Sequence, residues 1–493
     1  MSTTRTIQLP QKAQALLREL LSFLEKKKFE EVWLVGGAVR DLLLGKETLE
    51  DLDLAVPQSP VPAGILFARQ HHQGFVVLDE ERAVLRLVHS DEDGVVTLDL
   101  NRFKGPDIEA DLRARDFTMN ALAVRLRSND LQKPLPVFDC LDGMTHLEQR
   151  ELHACSENSF RDDPLRLLRA FRFVSRLDGV LAPALVTLIK QDAEHLVGVS
   201  GERVRDELFK ILSVPDSVRW VRELDGTGLL KHVLPELEAT RGVTQNEWHH
   251  LDVFDHSLAS LETFEELVRG GLTFPGGDSL GRFLDEGTTG GRTYLQLYKL
   301  LCLIHDLAKV PCRQEESTGR VIFHGHEMTG AGMAETIAER LRLSNHEKDV
   351  LMRGVKNHMR PGVIVQQGIS ERRLFRYFSE TGREGVAIAL FSLADRLAAR
   401  GSGQAEDLPE FQAGILSIIA EFFRQMEFRR PAPLISGGDL IRELQLQPGP
   451  RFREILEKVA EAQFLKQIST RAEALDLARG IVAGPPTQEE PDE

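Results

Sequence analysis

Two neighbouring segments decide the fold of this chain: Leu34-Val35-Gly36-Gly37-Ala38-Val39-Arg40-Asp41-Leu42-Leu43 and, shortly after it, Asp51-Leu52-Asp53-Leu54. The first predicts an apolar strand that runs into a glycine pair and then into a helix bearing an arginine. The second predicts a strand with two carboxylates one residue apart. Strand side chains alternate between faces, so these carboxylates point the same way with Cα atoms roughly 7 Å apart. Such a pair can share divalent ions.

The glycine pair shapes the turn between the strand and the helix. Gly36 and Gly37 allow the backbone to approach a phosphate closely. The helix that begins near Ala38 directs free N–H groups and the positive end of its dipole toward that phosphate. Alone, a Gly-Gly turn is common and an Asp-x-Asp is usually a solvated strand face. Together and in this order they predict a triphosphate-binding turn beside a metal site.

This order of elements resembles the signature of the class II nucleotidyltransferases, the family of bacterial tRNA nucleotidyltransferases (CCA-adding enzymes and their CC- and A-adding relatives) and poly(A) polymerases. The resemblance implies two-metal nucleotidyl transfer, with Mg²⁺ held by Asp51 and Asp53 and with Arg40 at the nucleotide. Families of this type often add a carboxylate from a nearby strand. Asp99 within Val95–Leu100 is the candidate, and an ordinary strand-end aspartate is the alternative.

Two further motifs follow in the same region. The sequence Arg115-Asp116-Phe117-Thr118-Met119-Asn120-Ala121-Leu122 resembles the family motif RDFT-x-NAL. The resemblance implies that Arg115, Asp116 and Asn120 bind the sugar and phosphates of the incoming nucleotide; a helix-capping role for the aspartate is compatible with this. The segment 138–143 (FDCLDG) matches a short structural motif, in which Gly143 permits a turn and one of the two aspartates caps it.

A helix rich in arginine is predicted to begin at Pro164, where a proline sacrifices no hydrogen bond. Residues 160–173 (FRDDPLRLLRAFRF) resemble the family's E-D-x-x-R helix, with Asp162 in the place of its glutamate. The resemblance implies that Asp163 and Arg166, which would share a helix face, read the base edge of the incoming nucleotide. Asp163 would accept a hydrogen bond from the base and Arg166 would donate one. The protein itself would then serve as the template in place of a nucleic-acid strand.

Arg169 and Arg172 on the same helix are further candidates for nucleotide binding. A helical arginine cluster is also typical of a solvated or salt-bridged face, which is the alternative here. The next family element, Ser-x-Glu-Arg, is matched by Ser200-Gly201-Glu202-Arg203. It predicts a helix cap whose salt bridges support the arginine-bearing helix.

Histidines and aspartates form a second ordered series in the helical half of the chain: His256, His305, Asp306, His326, His358 and Asp395, with Lys309 one turn after the His-Asp doublet. The series resembles the HD superfamily of metal-dependent phosphohydrolases, in which such side chains converge on one or two divalent metals that activate water. The resemblance implies a first metal on His256, His305, Asp306 and Asp395. His326 and His358 would add a second metal or bind phosphate.

The expected metal in this domain is a divalent transition metal such as Ni²⁺, Mn²⁺ or Co²⁺. His250, in Trp248-His249-His250, is a weaker candidate for a ligand. A degenerate HD fold that serves as an RNA-binding scaffold is the alternative to an intact metal site.

The length and composition of the chain limit which kinds of protein it can be. A chain of 493 residues is too long for one ordinary core, so several domains are expected. The apolar fraction of 42% fits a soluble globular protein, nothing resembles a signal peptide, and no apolar run approaches the ~20 residues that span a membrane. The formal net charge of −15 argues against nucleic-acid binding through the overall field, although a local basic track is compatible with it. Four scattered cysteines indicate reduced thiols in a cytoplasmic protein.

We predict an α+β protein: a mixed α/β nucleotidyltransferase head with a polymerase-beta-like palm, then an all-α neck, a body with the HD domain, and a tail. The predicted boundaries are 1–150 for the head, 151–245 for the neck with the templating helix, 246–400 for the HD domain and 401–493 for a tail that contacts tRNA. Residues 270–292 predict a mobile glycine-rich insertion and 400–409 a linker. About the last ten residues are expected to be disordered.

The motifs predict template-independent addition of C, A or both to the 3′ end of tRNA, with a second HD-type phosphodiesterase or phosphatase activity. We expect CTP, ATP and tRNA as partners, Mg²⁺ in the head, and neither a membrane nor DNA; the oligomeric state stays open. The alternatives are a poly(A) polymerase of the same family and an HD phosphohydrolase whose head only binds RNA. The acidic C-terminus and the complete HD series favour tRNA. The choice among CCA, CC and A addition is not decided by the sequence.

Overall fold

The computed structural model describes residues 5–91, 94–245, 250–399, 407–426 and 432–483. The chain divides into two compact units, Met1–Val214 with Glu223–Val233 and Pro215–Arg222 with Leu234–Glu493. Among the described residues, no helix combines the length and the apolar character that crossing a bilayer requires. All four cysteines are free thiols, as expected from their scattered positions.

The first unit is built on a sheet of eight strands: β1 Thr6–Ile7, β2 Val32–Val35, β3 Asp51–Val56, β4 Gly74–Asp79, β5 Val84–Asp91, β6 Gly94–Arg102, β7 Leu122–Leu126 and β8 Leu135–Asp139. Their order across the sheet is β1-β8-β7-β2-β3-β6-β5-β4. β3 and β6 run parallel, whereas the other neighbouring strands pair in antiparallel fashion. The mixed sheet that was predicted for the head is confirmed.

Helices cover both faces of this sheet. They are α1 Gln11–Lys26, α2 Gly37–Leu43, α3 Val61–Gln70 and α4 Ile108–Arg113. In α1 the leucines at 17, 20, 21 and 24 recur with helical periodicity, and all four are buried in the core on one face of the sheet. On the other face, Ile108 and Leu112 of α4 pack with Val35 and Ala55. Leu34 and Val35 thus enter different cores, as the alternation along a strand requires.

The rest of the first unit is helical. Its helices are α5 Gly143–Gln149, α6 Ser159–Asp162, α7 Arg166–Leu177, α8 Pro183–Asp192, α9 Gly201–Leu212, α10 Ser217–Gly226, which is divided between the units, and α11 Leu230–Val233. A two-residue parallel pair, β9 Glu151–Leu152 and β10 Val180–Leu181, interrupts the all-α pattern that was predicted. Helix α7 buries Leu167, Leu168, Phe171 and Val174.

The second unit is almost entirely helical. Its helices are α12 Pro235–Glu238, α13 Val253–Arg269, α14 Gly277–Asp285, α15 Tyr294–Ile304, α16 Lys309–Cys312, α17 His326–Arg340, α18 Asn345–Asn357, α19 Arg360–Gln366, α20 Glu371–Thr381, α21 Gly385–Ala399, α22 Leu408–Glu421, α23 Gly437–Leu444, α24 Pro450–Phe464 and α25 Arg471–Ala483. The exception is a short hairpin of β11 Gln314–Glu315 and β12 Val321–Ile322. The last three helices share a small core of their own around Leu440, Ile455 and Ala474.

The prediction of a mobile insertion at 270–292 is wrong for its central part. Helix α14 occupies that part, and Leu280, Phe283 and Leu284 are buried. These three side chains follow helical spacing, and their burial outweighs the local glycine content. In the predicted linker, residues 400–406 lie outside the described residues, and Leu408 already begins α22. The C-terminal residues predicted to be disordered, from 484 onward, also lie outside the described part.

The turn between β8 and α5 has the predicted aspartate cap, whereas its glycine has a different role from the predicted one. Asp139 is the capping aspartate, because its carboxylate accepts hydrogen bonds from the backbone N–H groups of Leu141, Gly143 and Met144. The left-handed residue is Asp142, with φ 55°. Gly143 is required for another reason than the predicted one: a Cβ there would lie 2.2 Å from the carbonyl oxygen of Thr118.

We expect Gly143→Ala to destabilise the head by roughly 1–3 kcal/mol, because the added methyl group overlaps a backbone carbonyl that cannot move aside freely. Gly198→Ala is the matched control, since no atom lies within 4 Å of a Cβ built there. Urea unfolding followed by circular dichroism measures both changes. Equal midpoints for the two variants would contradict the proposed steric role of Gly143.

Candidate active site

Three carboxylates meet where β3 and β6 run side by side, and we call them the carboxylate site: Asp51, Asp53 and Asp99. The parallel register places Asp53 next to Asp99 and Asp51 next to Thr97. The hydroxyl of Thr97 donates to Asp51 Oδ1 at 2.5 Å. Asp51 is exposed, whereas Asp53 and Asp99 are half-buried. The predicted common orientation of Asp51 and Asp53 therefore places them beside a third carboxylate.

The carboxylates of this site differ in how far neighbouring arginines balance their negative charge. Arg86 of β5 donates from Nε and Nη2 to the two oxygens of Asp99, each at 2.8 Å. Burial raises the pKa of Asp53; Arg115 opposes this shift, while Asp99 and Asp51 add to it. A carboxylate whose neighbours repel its charge is stabilised by a bound cation. The residues of the carboxylate site thus fit divalent ions, as predicted for Asp51 and Asp53, while Asp99 would share its oxygens with Arg86.

The glycine turn lies directly against these groups. Gly36 has φ +75°, a conformation that favours glycine, and a Cβ there would lie 3.3 Å from Arg115 Nη1 and 3.4 Å from Asp53 Oδ2. A side chain at position 36 would therefore fill the space between a guanidinium and a carboxylate.

Two arginines beside the turn are each held by a neighbouring acid. The buried carboxylate of Asp111 accepts from Nε and Nη2 of Arg115 through Oδ2, at 3.0 and 2.9 Å. Asp41 accepts from Nε and Nη2 of Arg40 through Oδ1, at 2.9 and 2.7 Å. Arg40 Nη1 donates to Asn120 Oδ1 at 2.6 Å. Both guanidiniums are therefore oriented without any nucleotide.

Asp116 is the centre of a buried network. Its Oδ1 accepts from the backbone N–H of Phe117 at 2.8 Å and from Asn120 Nδ2 at 3.3 Å, and its Oδ2 accepts from the guanidinium of Arg169. Burial alone would raise the pKa of Asp116, but Arg169 and these hydrogen bonds hold that pKa below its ordinary value. Asp116 is thus a charged acceptor that fixes Asn120 and Arg169.

Arg172 forms an ion pair with Glu207 of α9 at 2.8 Å. Burial lowers the pKa of Arg172 to about 10, with Glu207 opposing the shift. The salt-bridged alternative for the arginine cluster therefore describes Arg169 and Arg172 well. Nucleotide binding by them stays a prediction.

Asp163 and Arg166 do not share a helix face, so that prediction is wrong. Asp163 precedes α7 in an extended conformation, with φ −151° and ψ 99°. Its carboxylate accepts from Arg203 Nη2 at 3.1 and 3.2 Å, which matches the support predicted from the Ser200–Arg203 motif. Base reading by this pair stays a prediction.

Arg166 is buried, and main-chain oxygens occupy its guanidinium. Nη2 donates to the carbonyl of Ala114 at 2.9 Å, and Nη1 donates to Ser159 Oγ at 3.0 Å and to the carbonyls of Ser159 and Arg115 at 3.2 and 3.3 Å. Arg166 therefore joins α7 to the segment that carries the Arg115 motif.

The second unit brings together all six members of the series, which we call the histidine–aspartate cluster: His256, His305, Asp306, His326, His358 and Asp395. They fall into two groups, His256 with His305 and Asp395, and Asp306 with His326 and His358, and within each group the ligand atoms lie within 4.8 Å of one another. Asp306 Oδ2 is also 3.1 Å from His305 Nε2. The sequence predicted Asp306 as a ligand of the first metal only. In the structure, Asp306 lies between the two groups.

Three histidines of the cluster are oriented by their own backbone. The Nδ1 atoms of His305, His326 and His358 lie 3.0, 2.9 and 2.7 Å from the carbonyl oxygens of Cys302, Phe323 and Val355, three residues earlier in each case. A carbonyl accepts only from a protonated Nδ1, so Nε2 is the atom left for a metal. Asp306 Oδ1 and His326 Nε2 are buried, 3.5 Å apart and without a hydrogen bond. The cluster fits divalent metal.

The electrostatics of the cluster favour a cation. Burial would lower the pKa of His305, but Asp306 and Asp395 raise it to about 10. Lys309 Nζ lies 2.6 Å from Asp306 Oδ2 and donates to Gln245 at 2.7 Å. His250 is in neither ligand group, and its Nδ1 lies 2.7 Å from the carbonyl oxygen of Ala399. Trp248 and His249 lie outside the described residues.

Four families match this chain by sequence. The matches are the Poly A polymerase head domain at 32–153, the RNA and SrmB-binding site of polymerase A at 181–240, the HD domain at 253–400 and tRNA nucleotidyltransferase domain 2 at 404–478. An A-adding tRNA nucleotidyltransferase of Deinococcus radiodurans is 35% identical over 449 residues, covering 90% of this chain and 93% of the relative. This chain belongs to the tRNA nucleotidyltransferase family.

Further tRNA nucleotidyltransferases are similar to this chain in sequence or in fold. A CC-adding enzyme of Geobacter sulfurreducens is 29% identical over 461 residues, covering 93% of this chain and 94% of the relative. A solved CCA-adding enzyme in complex with CTP shares the fold with a TM-score of 0.63 at 19% identity, covering 98% of this chain and 100% of the other. The Thermotoga maritima CCA-adding enzyme complexed with tRNA gives a TM-score of 0.61 at 20% identity, with 98% and 100% covered.

Sequence reasoning about this tRNA nucleotidyltransferase missed the acids that hold the arginines. Asp111 precedes Arg115 by one helical turn, a spacing that could have revealed the pair. Asp41 is adjacent to Arg40 and was part of the opening motif. Nothing in the local sequence connects Glu207 with Arg172, or Arg86 with Asp99, because these partners meet only through tertiary structure.

We expect Asp53→Asn to reduce nucleotide incorporation by roughly 10³-fold, because it removes a charged metal ligand that contributes several kcal/mol to the transition state. The same change should leave thermal stability in EDTA equal to wild type or higher. The raised pKa means that the charge of ionised Asp53 destabilises the folded state relative to the unfolded chain, and the amide removes that charge with its burial penalty and its repulsion from Asp51 and Asp99.

Asp99→Asn is the matched control for stability. It loses two charge-assisted bonds from Arg86 and should destabilise the protein by up to roughly 1 kcal/mol, as expected of a partly exposed pair. Differential scanning calorimetry in EDTA compares the variants. A midpoint for Asp53→Asn as low as that of Asp99→Asn would show that Asp53 is not electrostatically strained.

Proposed function

We propose that this chain adds nucleotides to the 3′ end of tRNA and that the nucleotide it adds is the terminal A. One observation carries nucleotidyl transfer: the parallel register sets Asp53 beside Asp99, and Gly36 and Arg115 adjoin Asp53. Terminal A addition is supported by similarity, at 35% identity to an A-adding enzyme against 29%, 26% and 29% to three CC-adding enzymes.

The protein's own groups have distinct parts in this reaction. Asp51 and Asp53 hold the divalent ions, for which we propose Mg²⁺; when bound, these ions activate the attacking hydroxyl and neutralise the departing pyrophosphate. Arg115 and Arg40 contact the triphosphate, and their orientation is set in advance by Asp111 and Asp41. The opening at Gly36 admits the phosphates next to these charges.

Recognition of the base is proposed for Asp163 and Arg166. Asp163 offers an acceptor just before α7, and its ion pair with Arg203 orients it. Arg166 is satisfied by main-chain carbonyls in the absence of nucleotide. A guanidinium has five N–H donors, and these contacts involve only Nη1 and one bond from Nη2. The remaining N–H groups of Arg166 would read the base edge while the carbonyls hold the guanidinium in place.

Purified protein is given tRNAs that end in the discriminator base, in C or in CC, with labelled ATP or CTP supplied separately. We expect one A to be added to the tRNA ending in CC and no CTP to be used. Asp53→Asn protein is the matched control for contaminating enzymes. Long A tracts on an unrelated RNA would favour the poly(A) polymerase alternative, and incorporation of CTP would contradict A-only addition.

We propose a second activity, metal-dependent hydrolysis of phosphoesters, in the histidine–aspartate cluster. The observation that favours it is the placement of Asp306 between two groups of ligands, with buried Nε2 atoms directed inward. A bound metal would activate water, and a transition metal such as Ni²⁺, Mn²⁺ or Co²⁺ suits imidazole ligands. Asp306 and the Nε2 atoms of the surrounding histidines would hold the metal.

We expect Asp306→Ala to abolish metal-dependent release of phosphate from RNA with a 2′,3′-cyclic end and to lower the bound metal measured by mass spectrometry. Nucleotide addition should persist, because the carboxylate site lies in the other unit. His250→Ala is the control, since that exposed side chain lies outside both ligand groups and its Nδ1 contacts the carbonyl oxygen of Ala399. Undiminished hydrolysis in Asp306→Ala would show that the activity does not belong to the histidine–aspartate cluster. Undiminished metal binding would show that Asp306 is not a metal ligand.

A further inference from the structure

The ring of Phe173 in α7 has three arginines around it. The Cζ atoms of Arg40, Arg169 and Arg172 lie 5.5, 5.5 and 4.2 Å from its centroid. Arg40 comes from α2, whereas Arg169 and Arg172 come from α7, the helix that bears the ring. Phe173 itself is half-buried. One aromatic side chain is therefore shared by cations from two separate elements of the head and the neck.

The ring is not needed to balance these charges. Each guanidinium already has its own carboxylate, Asp41 for Arg40, Asp116 for Arg169 and Glu207 for Arg172. These three carboxylates lie in different segments and fix one arginine apiece. What the carboxylates do not provide is a common contact among the arginines. Phe173 provides that contact.

Physical chemistry favours an aromatic residue at this position. Guanidinium groups are attracted to the negative face of an aromatic ring, and a rigid ring holds them at a defined separation. Phe117 supports the ring from its edge, with centroids 5.6 Å apart and an interplanar angle of 72°. A leucine would fill similar space without attracting the cations, and the like charges would then repel one another.

We propose that Phe173 is a positioning residue that holds Arg40, Arg169 and Arg172 at the separation in which they receive the triphosphate. The inference rests on the proposed triphosphate contact of Arg40 and on the predicted nucleotide binding of Arg169 and Arg172. Phe173 does not touch the reacting atoms; it acts through the guanidiniums. Cations that are ordered beforehand lose less entropy when an anion binds, so the effect belongs to nucleotide affinity rather than to the chemical step.

The test compares Phe173→Leu with Phe173→Tyr in ATP addition to tRNA ending in CC. We expect Phe173→Leu to raise KM for ATP roughly 5- to 10-fold, the loss expected for more than one cation–π contact, with kcat within about 2-fold of wild type. Phe173→Tyr keeps the ring face and should restore KM to near the wild-type value. Phe171→Leu, on the same helix but in the core, is the control, and it should lower stability without raising KM.

An unchanged KM in Phe173→Leu, or a KM in Phe173→Tyr as high as in Phe173→Leu, would overturn the proposal. If Phe171→Leu raised KM as much as Phe173→Leu does, the effect of Phe173 would be one of general packing, and the proposed positioning role would be wrong. If wild-type protein adds no A to any tRNA, the proposed function fails instead. Equilibrium dialysis with labelled ATP then still tests Phe173, because equal Kd values for wild type and Phe173→Leu would refute its positioning role.

Discussion

The parallel pairing of β3 with β6 is the constraint on which the head depends. Because parallel strands need a long connection, the chain between them must pass through α3 and the β4–β5 hairpin before β6 can return beside β3. The register then sets Asp53 next to Asp99 at the centre of an eight-stranded sheet. If the register of β3 and β6 moved by one residue, Asp99 would point to the opposite face of the sheet from Asp51 and Asp53. The surrounding arginines are arranged around this fixed concentration of negative charge.

The elements that form the head follow from local sequence, and so do the residues of its carboxylate site. Strand alternation in 51–56 and 94–102 and the turn chemistry of Gly36 are properties of a few neighbouring residues, and the structure agrees with them. Contacts between distant segments could not be predicted in this way. Arg166 is the clearest example, because its spacing from Asp163 suggested a shared helix face. Asp163 is instead extended and precedes α7, and a carbonyl of another segment accepts from the Arg166 guanidinium.

Composition was a poorer guide than periodicity. The glycines between 270 and 292 suggested a loop, but three apolar side chains at helical spacing formed a helix there. The histidine–aspartate series shows what sequence order alone cannot predict. Its order in sequence resembled a known family, but the sequence assigned Asp306 to one metal, and only the packing of several helices places it between two ligand groups. Order along a chain identifies the participants of a site without fixing which of them are neighbours.

The bonds from His305, His326 and His358 to carbonyls of their own segments have a consequence for how this protein acquires metal. In a site organised by its metal, folding and loading are one event. Here each imidazole is aimed by a contact that spans three residues, so the ligands are in place before any ion arrives. Three of the six cluster residues are therefore oriented by the fold itself. The proposed metal would bind to imidazoles that already point their Nε2 atoms toward it, so less of its binding energy would go into ordering ligands.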